Sequence, residues 1–529
     1  MLIDGLGIAD GAVLEADICV IGSGPAGIAL MRRLEAAGRD VLVVEAGGTR
    51  PTAEAQRLAA GEDDGLDYPF SEARVHAFGG TSHLWKGLCC PPDADDRYAT
   101  APGGAEAWSD VREALAPYFP QAMRFFGVEL ADVEEAASKL TPVAGFSFKP
   151  GVIARELRVG PRYLEHARQS ERIRVLLNAR ATALVPNAGR DGIARIDVVV
   201  GKRRVQIEAS EVVLATGAIE ASRLLLESEE RAGSRFVNAH DQVGRCLMER
   251  HQVTFGALEP ADEAAIPEPW AGEPPMPGGG FAVVMTLPPA LREREDLLGC
   301  WMRAYRVSAA RGTASVEAVR ALAYAFLTRQ RPLNVGQLLL EASKAPFAVA
   351  RYALEHFGLV RRGSTTDILL AANVEQAPDP ENRIALGKGR DMHGCRLPRL
   401  IWAESERDRR SREENVRLAT RGLEDAGLGR VVPVAERPRL LEAKPDKVCY
   451  HHAGGTRIAD DARHGVVDRH CRVHGLRNLW IASSAVFPAA GAANPTVTIV
   501  SLAMRLADRL TATAPEEGKR KRALSEIVE

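Results

Sequence analysis

Between Ala16 and Glu45 the chain carries the unit that most limits what it can fold into. Ile18-Cys19-Val20-Ile21 is a short run of apolar β-formers that stops at Gly22-Ser23-Gly24-Pro25-Ala26-Gly27. Beyond it Ile28, Leu30, Met31, Leu34 and Ala37 recur at helical spacing, Gly38 supplies a left-handed stop, and Val41-Leu42-Val43-Val44 predicts a second buried parallel strand. Glu45 ends that strand 18 positions after Gly27. Each part has a mechanical task. Gly22 permits the tight turn, Gly24 lets the backbone approach a pyrophosphate, Gly27 allows the helix to pack closely on the strand, and the helix N-terminus adds positive potential. Glu45 is placed to bind ribose hydroxyls. The unit predicts a dinucleotide site, and at this point FAD and NAD satisfy it equally.

Charge and length narrow the remaining classes. The chain has 529 residues, which suggests two to four domains at about 150 residues each. Its 68 basic and 70 acidic side chains leave a formal charge of −2, interspersed with apolar residues. This balance argues against a nucleic-acid binder and equally against an anionic-membrane anchor. No apolar run approaches the ~20 residues needed to cross a bilayer. Met1 to Glu15 contains three acids and no Lys or Arg, which is not the pattern of a signal peptide. A soluble, cytoplasmic protein is the expectation. The eight cysteines form no Cys-x-x-Cys pair, so reduced thiols and no bound metal are expected.

Further along, residues 60 to 90 are polar and Gly-punctuated, with a second cluster at Phe78-Gly79-Gly80-Thr81-Ser82-His83-Leu84-Trp85-Lys86-Gly87 that reads as an ordered loop. Strands are predicted at Ile173 to Leu177, Ile196 to Val200, Val205 to Ile207 and Glu211 to Leu214. The last feeds Ala215-Thr216-Gly217-Ala218 and a helix, so a strand, glycine and helix transition occurs twice. Leu258 to Phe281 is crowded with Pro, Glu and Gly and reads as a linker or a lid loop. A helical stretch follows from about Val316 to Leu359. Leu479 to Ala482 is strand-like, Asn494-Pro495 opens a helix marked by Ile499, Leu502, Ala503, Leu506 and Leu510, and Glu516 to Glu529 is a charged, frayed tail.

Taken together, Gly22 to Gly27, Phe78 to Gly87, Ala215 to Ala218, Gly244-Arg245 and the block from His451 to Asn494 resemble the glucose-methanol-choline (GMC) oxidoreductases, a family of FAD enzymes. The most telling stretch is His451-His452-Ala453-Gly454-Gly455-Thr456-Arg457, followed by Gly465-Val466-Val467-Asp468, Arg472-Val473-His474-Gly475, Asn478-Leu479, Phe487-Pro488 and Gly491-Ala492-Ala493-Asn494-Pro495-Thr496. Glu375-Gln376-Ala377-Pro378 and Asn382-Arg383 are similar to a segment of the bacterial branch that acts on sugars and polyols. The resemblance implies that His452 and Asn494 face the flavin. An imidazole can take the hydroxyl proton as hydride leaves an alcohol carbon, whereas a carboxamide can only hold the oxygen, so the base would be His452 and the positioning group Asn494. The same resemblance places the cofactor against Gly80, Thr81 and Ser82, Ala181, Ala215 and Gly217, Ser483, and the helix start at Pro495 and Thr496, whose dipole would favour reduced flavin. Some members attach FAD through a histidine in the second cluster. Registering on Trp85 and Gly87 puts Leu84 rather than His83 at that position, which implies noncovalent FAD.

The expected fold is α/β: a Rossmann-like, discontinuous FAD-binding domain (residues 1–90, 150–255 and 445–529) with a mixed α+β substrate-binding domain (91–149 and 256–444), in a GMC/p-hydroxybenzoate-hydroxylase-like architecture. The expected reaction is FAD-dependent oxidation of a primary or secondary alcohol, on a sugar or glycoside, to the carbonyl. Its electron acceptor is left open between oxygen, a quinone and a partner protein. Tailoring of a natural product's hydroxyl, an NAD(P)-dependent reductase and a silent flavin-binding scaffold are the competing expectations.

Overall fold

A computed structural model describes the chain except for residues 67, 91–99, 156, 234, 263–265, 267–279, 308–313, 328–334, 357–366, 438–446 and 513–529. The frayed tail and most of the linker or lid segment expected at 258–281 therefore lie outside the described residues.

The N-terminal unit folds as its pattern dictates. Val13–Ile21 and Val41–Val44 pair in parallel on either side of the helix Pro25–Ala36. They are inner strands of an eight-stranded sheet whose order runs Leu2–Asp4, Ile173–Leu177, Val41–Val44, Val13–Ile21, Arg203–Leu214, Ile193–Val200, Arg180–Pro186, with Leu479–Ile481 also pairing with Arg203–Leu214. Strands covered on both faces need continuous apolar runs. Ile18, Val20, Val41, Val43 and Val213 are accordingly buried in one core, and Cys19, Leu42, Val212 and Leu214 in the core on the opposite face. Each such side chain contributes roughly 1.5–3 kcal/mol relative to exposure. The two strands expected at Val205 to Ile207 and Glu211 to Leu214 are one continuous strand, since Glu208 and Ala209 between them pair with Glu15 and Ala16 on the same ladder.

A second sheet is antiparallel and runs Gly429–Pro433, His251–Pro260, Asp367–Val374, Cys300–Val307, Gly280–Thr286, Ser147–Ile153, Leu88–Cys89, with Lys447–Val448 added to His251–Pro260. A third, three-stranded sheet joins Arg383–Arg390, Arg396–Ile401 and Glu62–Asp63. The helical stretch expected from Val316 to Leu359 is divided into Ala314–Leu327, Val335–Ser343 and Pro346–His356. Pro346 is the first residue of the last of these helices, a position where its missing N–H costs nothing.

The C-terminal helix Thr496–Ala512 packs beside Pro25–Ala36, and Arg33 joins the two through a two-pronged pair with Asp508 (Nη2 to Oδ2, 2.8 Å). The contact fixes two helices from opposite ends of the chain beside each other, and the N-terminal residues of both line one cavity.

Candidate functional site

That cavity has a volume of about 2030 Å³. Gly22, Gly24, Glu45, Gly80, Thr81, Ser82, Ala181, Ala215, Gly217, Ser483, Asn494, Pro495, Thr496 and His452 all line it, and Gly27 alone of the expected site residues does not. Gly27 has the packing task its position implies, since a Cβ there would stand 2.0 Å from the Gly22 carbonyl oxygen.

The residues around the glycine turns fit a dinucleotide. At Gly24 and at Gly217 a Cβ would meet no protein atom within 4 Å, so the space beside both turns is open toward the cavity. Gly24 is the N-cap of its helix and Pro25 its first residue, which leaves the helix N-terminus uncapped by any side chain. The Gly79 N–H donates to the Ser23 carbonyl (2.9 Å), and a Cβ on Gly80 would lie 2.9 Å from Gly24 Cα, so the second glycine cluster is drawn directly against the first. Thr216 Oγ1 is buried there with no hydrogen-bond partner. Open cradles, unanswered donors and a helix N-terminus are what a pyrophosphate satisfies. Glu45 is buried just past its strand, and burial raises its pKa. Its Oε2 accepts from both the Ser23 N–H (3.2 Å) and the Ser23 hydroxyl, and its Oε1 from the Gly47 N–H (2.9 Å), so Oε1 is the oxygen with capacity for a ribose hydroxyl.

The two histidines of the pair, which also line the cavity, make different contacts. His451 is half-buried with its Nδ1 buried and unpartnered, while its backbone N–H donates to Glu249 Oε1 (2.8 Å). His452 Nε2 hydrogen-bonds the Tyr68 hydroxyl and lies 3.5 Å from Glu249 Oε2. Tyr68 in turn donates to Glu249 Oε2 at 3.2 Å. Burial, reinforced by Arg74, lowers His452 to about 3, so the ring is neutral near pH 7. Burial has the opposite effect on the Glu249 carboxyl, pushing it up to about 7 despite bonds from the Arg250 and His451 N–H groups. The Tyr68 phenol is raised well above its ordinary value by the same burial and by the neighbouring carboxylate.

Asn494 enters from the other wall. The helix after it begins at Thr496, one residue later than the Asn-Pro pattern suggests. Its Oδ1 is turned to Arg250 Nη1 (3.5 Å), a guanidinium that also donates to the Ala492 carbonyl (2.7 Å). The segment before Asn494 is anchored by Glu375, whose two carboxylate oxygens accept from the Gly491 N–H (2.8 Å) and the Gly299 N–H (2.9 Å). Gln376 Oε1 likewise accepts from the Glu249 N–H (2.8 Å) and from Trp402 (2.8 Å). The Glu375-Gln376 pair thus braces both walls of the site.

Ser483 caps the short helix Ser484–Val486, and Ser484 donates to the His452 carbonyl (2.6 Å), tying the two motif segments together. His83 Nε2 bonds the Phe78 carbonyl (3.0 Å), which engages the ring within its own loop. Tyr68, Arg74, Glu249 and Arg250 were not among the expected site residues. Glu249 alone had a signal, since it follows the Gly244-Arg245 motif by a few positions. Tyr68 stands two residues from Phe70 in a loop that matches no motif. Among the described residues there is no group of His, Cys, Asp and Glu that could hold a metal ion, all eight cysteines are free, and no helix is long and apolar enough to cross a membrane.

Comparisons with known proteins point the same way. Residues 17–237 match a family model described as FAD dependent oxidoreductase, and residues 378–503 one described as GMC oxidoreductase. The chain is 30% identical over 152 residues to the fructose dehydrogenase large subunit of Gluconobacter japonicus, 28% of this chain and 26% of that protein. It is 31% identical over 138 residues to a C-glycoside 3-oxidase of Arthrobacter globiformis (25% and 24% of the two chains), and 28% identical over 147 residues to a pyranose 2-oxidase of Tricholoma matsutake (27% and 24%). The matched stretches thus span about a quarter of these relatives. Its fold is similar to that of a pyridoxine 4-oxidase from Mesorbium loti (TM-score 0.56, 16% identity, 93% of this chain and 99% of that one) and of a formate oxidase (TM-score 0.57, 17% identity, 95% and 99%). The chain thus carries an FAD dependent oxidoreductase region at residues 17–237 and a GMC oxidoreductase region at residues 378–503.

Proposed function

We propose that the protein oxidises a primary or secondary alcohol, on a sugar or a glycoside, to the carbonyl, with His452 as the general base and Asn494 positioning the hydroxyl. The observation that carries this reading is a neutral, largely buried imidazole that lines the same cavity as the glycine turns and stands 3.5 Å from a buried carboxyl whose pKa is pushed the opposite way. The relatives named for fructose, C-glycoside and pyranose oxidation support the substrate class.

Bound FAD supplies a hydride acceptor at its N5. The chain's own residues handle the proton. His452 takes it from the substrate hydroxyl, which a neutral ring can do at pH 7. An imidazolium in so buried a setting is a strong acid, so the charge does not rest there. Its Nε2–H donates to Tyr68, whose O–H donates to Glu249 Oε2, and the proton comes to rest on the carboxyl titrating at about 7. Arg250 holds Asn494 Oδ1, leaving the amide N–H groups to donate to the substrate oxygen. We assign the first sheet to cofactor binding and the second to the wall that encloses substrate. The hydrogen bond from His83 to Phe78 supports noncovalent FAD.

The test is the absorbance of the purified protein under nitrogen. Bands near 380 and 450 nm, typical of an oxidised flavin, that bleach with members of a panel of sugars, glycosides and simple alcohols support the reading and identify the substrate. A colourless protein, or a flavin that none of them bleaches, counts against it.

A further inference from the structure

In the second sheet the strand Cys300–Val307 alternates between two environments. Cys300, Met302 and Ala304 are buried in one core with Leu370 and Ala372 of the neighbouring strand. Trp301, Arg303 and Tyr305 point the other way, and all three line the large cavity, as do Leu369 and Asn373 beside them. Such a wall can be built entirely from neutral side chains. Its middle residue here is an arginine.

Arg303 is half-buried, and no acidic group answers its charge. Its guanidinium carbon lies 4.9 Å from the centroid of the Tyr305 ring, and it makes no hydrogen bond or ion pair with any of the described residues. The other arginines of the cavity wall that are buried or half-buried are committed: Arg74, Arg180 and Arg223 to Glu220, Arg158 to the Ser82 and Trp85 carbonyls, and Arg320 to the Tyr352 hydroxyl. A guanidinium stacked on an aromatic face keeps its fork of N–H donors free at the edge and loses little side-chain freedom when it takes a partner. The partner that matches the fork is a carboxylate, which accepts two parallel charge-assisted hydrogen bonds. One uncommitted cation answers one negative charge, and this favours a carboxylate over a phosphate dianion.

The strand register relates this arginine to the chemistry. Arg303 pairs with Ala371, and Ala371 with Thr254 on the strand that follows Arg250. Thr254 is four residues past Arg250, the residue that holds Asn494, which amounts to about 13 Å at the rise of a strand. A sugar ring and an extended arginine side chain together span such a gap. Resting on the reading of His452 and Asn494 as the groups that engage the reacting hydroxyl, we propose that Arg303 binds a carboxylate on the far side of the substrate, so that the alcohol oxidised is a sugar acid. The carboxylate is held and not transformed. Hydride still leaves the carbinol carbon for FAD, and the hydroxyl proton still goes to His452.

The test is calorimetric titration of the full-length, FAD-loaded protein, its flavin chemically reduced under nitrogen so that no turnover occurs. The ligands are D-glucuronate, D-galacturonate and D-gluconate, each against its neutral counterpart, D-glucose, D-galactose and D-glucitol. At least one acid should bind about 10-fold or more tightly than its counterpart, within the range for a hydrogen-bonded charge, and added salt should narrow the difference. Arg303→Gln should abolish that preference and leave the binding of neutral sugars, the flavin absorbance and the melting temperature unchanged. Arg303→Lys should retain part of it, since the charge remains and the fork is lost. Acids that bind no better than their counterparts, or a preference that survives Arg303→Gln, would overturn the proposal. Glucose 6-phosphate bound through Arg303 more tightly than every acid would overturn the choice of a carboxylate. Anaerobic bleaching of the oxidised flavin by the same compounds separates this proposal from the reading beneath it. Acids that bind through Arg303 but bleach no flavin would count against alcohol oxidation and leave the carboxylate site standing. Bleaching by neutral sugars and by none of the acids would overturn the proposal and leave alcohol oxidation standing.

Discussion

Glu249 Oε2 lies 3.5 Å from His452 Nε2, and the hydroxyl of Tyr68 bonds to both. The two groups come from segments about 200 residues apart, and their ordinary protonation preferences are both altered by the same burial. The carboxyl is pushed up and the imidazole down, so at neutral pH the proton belongs on Glu249 or in solution and not on His452.

Removing the hydroxyl alone tests the connection. Tyr68→Phe keeps the edge contacts with Phe70 and Tyr450 and loses only the bridge. We expect anaerobic flavin reduction to slow by roughly 10-fold, the equivalent of about 1.4 kcal/mol and at the upper end of the range for an ordinary hydrogen bond. An unchanged rate would remove Tyr68 from the proton's route.

Glu249→Gln addresses the carboxyl, which faces Tyr68, Arg250, His451 and His452. Below the ordinary carboxylate pKa of about 4.5 both the folded and unfolded chains hold this proton, and the group has no pH-dependent cost. Between there and about 7 the unfolded chain releases the proton first. Wild-type stability therefore falls as pH rises through that window, by about 3 kcal/mol for this one group. The amide does not titrate. Urea unfolding at pH 5 and pH 8 should show the variant gaining on the wild type by up to that amount at the higher pH, and the wild type's flavin reduction should speed up as Glu249 loses its proton near pH 7 whereas the variant's should not. A difference between the two proteins that is the same at both pH values would contradict the raised carboxyl.

The two glycines of the first turn should fail differently. Gly24→Val points new atoms into open space, so the apoprotein should fold and melt normally but be purified colourless. Gly27→Ala puts a Cβ against the Gly22 carbonyl and should destabilise the apoprotein itself by roughly 1–3 kcal/mol. Full flavin occupancy in Gly24→Val would contradict the placement of the pyrophosphate, and a normally stable Gly27→Ala would contradict the packing role.

The contrast between these residues explains what a sequence can reveal. Gly24, Gly27, His452 and Asn494 were legible because each occurs in an ordered motif whose chemistry restricts the residue type. Strands such as Val41–Val44 were legible because burial on both faces demands an unbroken apolar run. Tyr68 was not, because its hydrogen-bonding partners Glu249 and His452 arrive from segments far along the chain and its own loop matches no motif. The same holds for Arg250, whose role depends on reaching Asn494 across the fold. The helices between Ala314 and His356 read as helical, but their exposure was hidden, since an apolar stripe looks alike in sequence whether it meets a core or water.

The most direct test of the account is stopped-flow reduction of the flavin under nitrogen in wild type and His452→Ala, both at full FAD occupancy and with the alcohol that bleaches the wild type. The account predicts that the variant retains its cofactor and its stability but is reduced ~100-fold or more slowly, the range for loss of a general base. Equal reduction rates would contradict it.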